Sequence, residues 1–140
     1  MGLCLDKTKA YFDSKELHYR EVQEGKALRV GFSAMAMDNM QRVDITVFFG
    51  DDDKDVAVRV FDICKFPEEK RSKMFKVCST LNAKFRWIKF YVDKSDNTIN
   101  AANDAVVSPD TVGSEVYELV MRTCSIVDEA YPELMKAMWA

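Results

Sequence analysis

Three successive stretches of this chain alternate apolar and polar residues, and that alternation constrains the fold more than any other feature. Leu28, Val30, Phe32 and Ala34 point one way while Arg29, Gly31 and Ser33 point the other. Val43, Ile45, Val47 and Phe49 oppose Arg42, Asp44 and Thr46, and Val56, Val58 and Val60 oppose Ala57, Arg59 and Phe61. A period of two sends alternate side chains to opposite faces of a strand, so each stretch reads as a strand with one buried face. The stretches are separated by Asp38-Asn39 and by Gly50-Asp51-Asp52-Asp53, residues that tolerate positive φ or bond their own backbone in tight turns. The pattern predicts an antiparallel meander with one face on a core.

The flanks supply what covers that face. Leu5, Thr8, Lys9 and Phe12 predict a short amphipathic helix ending between Ser14 and Leu17, and Tyr19 to Val22 reads as a short strand before Glu24-Gly25. A second helix is predicted to begin at Pro67, with Glu68 and Glu69 at the positive end of its dipole. Its stripe of Met74, Val77, Cys78, Leu81 and Phe85 opposes Ser72, Lys73, Lys76, Ser79 and Thr80. Asn82 falls where the period changes from 3.6 to 2, a place where an asparagine enters the left-handed conformation or bonds turn backbone. The next strand sets Ile88, Phe90 and Val92 against Trp87, Lys89 and Tyr91; the turn Asp93 to Asn97 then leads to a sixth extended segment, Thr98 to about Asn103. A long last helix from about Asp110 or Ser114 carries Val116, Leu119, Val120, Val127, Tyr131 and Leu134 and should kink or split at Pro132. At 140 residues, without linker, repeat or low-complexity tract, the chain is expected to be one domain, 1–140, of the α+β class, with helices packed on one face of an antiparallel sheet.

Phe66-Pro67-Glu68-Glu69-Lys70-Arg71, Leu81-Asn82-Ala83-Lys84-Phe85, Ile88-Lys89-Phe90-Tyr91-Val92-Asp93 and the helical ending Asp128-Glu129-Ala130-Tyr131-Pro132-Glu133-Leu134-Met135 resemble the YbjN family of bacterial sensory transduction regulators. The resemblance implies a fold like that of type III secretion chaperones, in the order α-β-β-β-α-β-β-α, and a homodimer. It implies no catalytic residues. The short strand near Tyr19 is additional to that order.

The chain's own chemistry points away from catalysis. Asp51, Asp53 and Asp55, and again Asp93, Ser95 and Asn97, imitate the opening of a calcium loop, but Val56 and Thr98 stand where the required glycine would be. There is no G-x-S-x-G, His18 is the single histidine, and five scattered glycines make no phosphate loop. Cys4, Cys64, Cys78 and Cys124 form no C-x-x-C and read as reduced structural thiols. No catalytic residue, metal or cofactor is expected. Asp6 stands where the Gly2 acylation pattern wants Ser or Thr, and no apolar run approaches the roughly 20 residues of a membrane span, so a cytoplasmic location is expected.

Charge is more informative. Residues 65–94 carry a local +6 in a chain of net −3, with an isoelectric point near 5.2. Lys73, Lys76, Lys84 and Arg86 are the candidates for a nucleic-acid or small-ligand surface, although the acidic remainder disfavours a polyanion. The reading preferred is a solvated helix face paired in part with the acidic last helix. Protein-binding candidates are Trp87, Lys89 and Tyr91, rings and a cation on an otherwise polar strand face, together with Met35, Met37 and Met40 at a methionine-rich hairpin tip. The function expected is a non-enzymatic regulatory or chaperone-like module with an unknown protein partner. Mass spectrometry of unreduced, alkylated and unfolded protein should show four labelled thiols; two intramolecular bridges would refute the reduced-thiol reading.

Overall fold

The computed structural model describes residues 2–140. They form α1 (Leu3–Ser14), β1 (Arg20–Gln23), β2 (Ala27–Ser33), β3 (Arg42–Phe49), β4 (Asp55–Lys65), α2 (Arg71–Lys84), β5 (Lys89–Asp93), β6 (Thr98–Val106) and α3 (Val112–Trp139). The strands make one sheet in the order β1-β2-β3-β4-β6-β5, every neighbour antiparallel. Register follows from the alternation: Val30 lies opposite Ile45, Val47 opposite Val58 and Val60 opposite Ala101, all on one face. Cys4, Leu5 and Phe12 from α1, Met74 and Leu81 from α2, and Val116, Val120 and Leu134 from α3 close over that face as a single core. The opposite face carries Arg29, Gly31, Asp44 and Arg59 and is covered by no helix among the described residues.

Several boundaries differ from expectation. Pro67 is extended, and one tighter turn, Glu68–Lys70, comes before α2 starts at Arg71. β6 continues to Val106 because β4 is itself 11 residues long and pairs with it as far as Asp55. α3 is a single helix with Pro132 inside it. Proline has no N–H for the carbonyl four residues earlier, which is that of Asp128. The Asn39 amide fills the gap, donating to the Asp128 carbonyl at 3.0 Å.

The Asp128 carboxylate completes this clamp. It accepts the backbone N–H groups of Asp38 at 2.8 Å, Asn39 at 2.9 Å and Met40 at 2.8 Å, while the residue is only 7% exposed. A charge inside the apolar stripe of a helix is thereby satisfied, and the β2–β3 connection is fastened to α3. At the other end of α3 the fit is steric. A Cβ on Gly113 would lie 2.7 Å from Cβ of Tyr11, so only glycine lets α1 and α3 come this close.

Burial pushes the Asp128 carboxyl up, but the three N–H groups together outweigh it and hold the group below the usual carboxylate range. A lowered folded-state value means that the stabilisation is full above the unfolded value of about 4 and is lost as pH falls through the folded one. Asp128→Asn should therefore destabilise the protein by about 1–3 kcal/mol at pH 7 in urea unfolding. The gap from the parent should narrow at about pH 3; equal stabilities at pH 7 would show that the clamp contributes nothing.

Candidate interaction groove

The free edge of β5 is blocked by the end of α2. Phe90 faces away from β6 and would present a bare N–H and C=O. Asn82 meets both: its Oδ1 accepts from Phe90 N at 2.7 Å and its Nδ2 donates to Phe90 O at 3.0 Å, as a neighbouring strand would. Of the two roles open to Asn82, the structure shows backbone bonding, from the last turns of α2 to β5, without a left-handed conformation. Lys89 seals the same corner, its Nζ donating to the carbonyls of Asn82 at 2.9 Å and Phe85 at 3.2 Å at the helix C-terminus.

β5 begins only at Lys89 because Trp87 has φ 78°, a left-handed conformation that costs a bulky residue on the order of 1–3 kcal/mol. The turn undoes the expected alternation. Trp87 does not share a face with Lys89 and Tyr91; its ring lies across the guanidinium of Arg122 on α3, 5.2 Å from centroid to carbon, with Arg86 at 5.3 Å. The Asn103 side-chain amide donates to the Trp87 carbonyl and holds the turn.

Because β5 pairs with β6 only as far as Ala102, residues 103–106 of β6 have no paired strand on that side among the described residues. Val107 N–H donates to Lys54 O, toward β4, at 2.9 Å, so by alternation the backbone groups of Asp104 and Val106 face the open side. Beside this bare edge lies an open groove of about 370 Å³ lined by Trp87, Val106, Val107, Leu119 and Arg122, with Glu118 at its rim. Val106 is 89% exposed and Trp87 47% exposed. Glu118 pairs with Arg122 at 3.1 Å and fixes the cation under the ring. Unpaired strand backbone beside an apolar trough is the geometry that receives an extended peptide.

The other expected site residues are dispersed. Tyr91 stays on the open sheet face, opposite Asn100. Met35 stands clear of the hairpin tip at 99% exposure, but Met37 packs against the core and Met40 belongs to it, because the Asp128 clamp pulls residues 38–40 onto α3. The methionine tip is thus one free side chain. Lys73, Lys76 and Lys84 share an exposed side of α2. Lys73 Nζ donates to the Ala140 carbonyl at 3.0 Å, Lys84 lies over the Phe85 ring at 5.2 Å, and Arg86 is engaged with Trp87. No side-chain ion pair joins 65–94 to α3 among the described residues; the contacts are to a carbonyl and an aromatic face.

The two stretches that imitate a calcium loop are turns. Asp53 accepts the Cys4 N–H at 2.9 Å and anchors α1, and Asp93 accepts both N–H and Oγ–H of Ser95 at 2.9 and 2.6 Å. All four cysteines are free. Burial pushes the Cys64 and Cys124 thiols up to about 11, far from a reactive thiolate. The sequence marks Val106 and Leu119 only weakly: Val106-Val107 breaks a period of two at a strand end, and Leu119 lies at the margin of its helical stripe.

The architecture defines an α+β domain, a six-stranded antiparallel sheet with three helices on one face. Residues 18–135 match the YbjN family, described as "Putative bacterial sensory transduction regulator", and the chain belongs to that family. A crystal structure of YbjN from E. coli, there called "a putative transcription regulator", has the same fold, with a TM-score of 0.63 over 92% of each chain at 15% identity. No curated protein matches the sequence.

Asn82→Ala should cost about 1–3 kcal/mol in denaturant unfolding by stranding both polar groups of Phe90. Hydrogen exchange at the Phe90 amide should accelerate in step. Unchanged exchange would show that water replaces the asparagine without loss.

Proposed function

We propose that the chain is a non-enzymatic, chaperone-like regulatory module of a bacterial cytoplasm, working as a homodimer, whose groove beside Trp87 receives an extended apolar segment of a protein partner. The observation that carries this reading is the unpaired end of β6 beside an exposed tryptophan held in a strained turn. Strain of this kind persists where the surrounding structure over-determines it, and such positions concentrate at binding sites. A strand added along Asp104 and Val106 would gain main-chain hydrogen bonds, and one large apolar side chain would enter between Trp87, Val107 and Leu119. The tryptophan stacked between two arginines has the residue types of an interface hot spot. The alternative, an anionic ligand on Lys73, Lys76, Lys84 and Arg86, has less support, since three of these cations already engage the chain's own groups.

Light scattering at micromolar concentration should give twice the 16.1 kDa chain mass. On an array of immobilised peptides the protein should retain extended apolar sequences, and Trp87→Ala with Val106→Asp should lose them about tenfold or more while melting within a few degrees of the parent. A monomer at all concentrations would remove the dimer. Undiminished peptide binding by the double variant would remove the groove.

A further inference from the structure

We propose that the uncovered face of the sheet carries a binding site for the dianion of a phosphate monoester, held between Arg20, Arg29 and Arg42. The site is separate from the Trp87 groove and stands or falls independently of it. Three neighbouring strands supply one arginine each, around a shallow pocket of about 210 Å³ that His18, Tyr19, Gly31 and Asp44 complete.

Arg20 of β1 lies directly opposite Arg29 of β2. Like charges directly across an antiparallel pair repel, and no carboxylate pairs with either among the described residues. The Arg20 side chain has no hydrogen bond or ion pair among the described residues, and the Arg29 side chain uses only its Nε, which donates at 3.1 Å to Oγ1 of the buried Thr46. That single bond fixes the guanidinium plane and leaves both Nη groups unused. The next cation in the same row, Arg59, is different: Asp104 neutralises it at 2.9 Å.

Arg42 forms the third wall. Its Nη2 and Nε donate to the two oxygens of Asp44 at 2.8 and 3.3 Å, a bidentate pair that lies flat across Gly31. A Cβ on Gly31 would stand 2.7 Å from Arg42 Nη2 and 2.9 Å from Asp44 Oδ1, so glycine in mid-strand is what admits the pair. Glu21, the nearest acid along β1, is occupied by Lys9 at 2.9 Å. The pocket therefore presents three guanidiniums against one carboxylate, an excess of two positive charges, in a chain of net −3.

Two uncompensated guanidiniums call for two negative charges on one small group. A phosphate monoester supplies them with oxygens spaced for arginine forks, whereas a carboxylate or a phosphodiester supplies one charge. The pocket's volume suits the phosphate group itself.

Backbone amide spectra of isotopically labelled protein, titrated with inorganic phosphate and with phenyl phosphate, test this. Both probes should shift the Gly31, Asp44 and Thr46 amides saturably. Equal affinities would assign the site to the phosphate group alone, and tighter phenyl phosphate would assign it to an organic monoester. Arg20→Gln and Arg29→Gln should each weaken binding about tenfold, while Lys94→Gln, matched in charge, should not. If the Arg29 variant loses its dispersed spectrum, the Arg20 variant, altered only on the edge strand, decides. Shifts that do not saturate, or that survive Arg20→Gln, would overturn the proposal. So would a single-stranded oligonucleotide that shifts the same amides at lower concentration than either monoester.

Discussion

One residue of α3 determines how the last helix meets the sheet. Asp128 offers a carboxylate to three successive N–H groups of the β2–β3 connection, and its carbonyl, left without a partner by Pro132, takes the side chain of Asn39. The proline that would ordinarily break a helix instead creates an acceptor, and the loop occupies it. A helix of 28 residues lying across a sheet could slide or rotate among several apolar registers. Four hydrogen bonds at one point, two of its residues spanning the chain by nearly 90 positions, select one. The consequences extend up the helix: Val116 and Val120 face the core, and Leu119 and Arg122 come to the margin of the sheet where Trp87 waits.

The second constraint is the management of sheet edges. An edge strand is a row of unmet donors and acceptors, which proteins shorten, twist or cover. Here α2 covers β5 through the amide of Asn82, and Lys89 meets the helix's own last carbonyls. Trp87 then turns the chain off the sheet before β5 can run the full length of β6. A strained tryptophan thus ends one strand early and leaves the tail of the next strand bare, with its indole as one wall of the space so created. Protection of one edge and exposure of another are two effects of the same few residues, 82 to 89.

The alternation of residues 28–60 was sufficient for the meander and for its buried face, because a period of two leaves little freedom in register once one face must be apolar. Helical stripes gave α1, α2 and α3 for the same reason. What sequence reasoning misplaced depends on events away from local pattern. Counting alternate residues puts Trp87 on the face of Lys89 and Tyr91, and one positive φ reverses the count. Local pattern places Met40 at an exposed tip, and a carboxylate 88 residues away draws it into the core. Asp128 itself was readable as an acid within an apolar stripe four residues before a proline, a conjunction that calls for a partner, but which loop would provide it is a tertiary fact. Val106 became a surface residue only because β5 is shorter than β6, a difference set by the turn and not by either strand's composition.

Charge shows most clearly how placement outweighs composition. The densest basic segment, residues 65–94, looks in sequence like the surface an anion would seek. Folded, several of its cations meet the Ala140 carbonyl, the α2 carbonyls and aromatic faces, so their donors are committed within the chain. The arginines left with unused donors come from the part of the chain whose net charge is negative, and they are brought together by strand pairing alone. Position 20 opposes 29, 29 opposes 46, and 31 opposes 44, so a register chosen by burial on one face of the sheet assembles charges on the other. The core does not select that second pattern and gains nothing from it. Repulsion between Arg20 and Arg29, together with a glycine that weakens β2, opposes folding, so the fold alone gives no reason for these residues. The apolar face accounts for the fold, and the polar face behind it is where a role for these residues has to be sought.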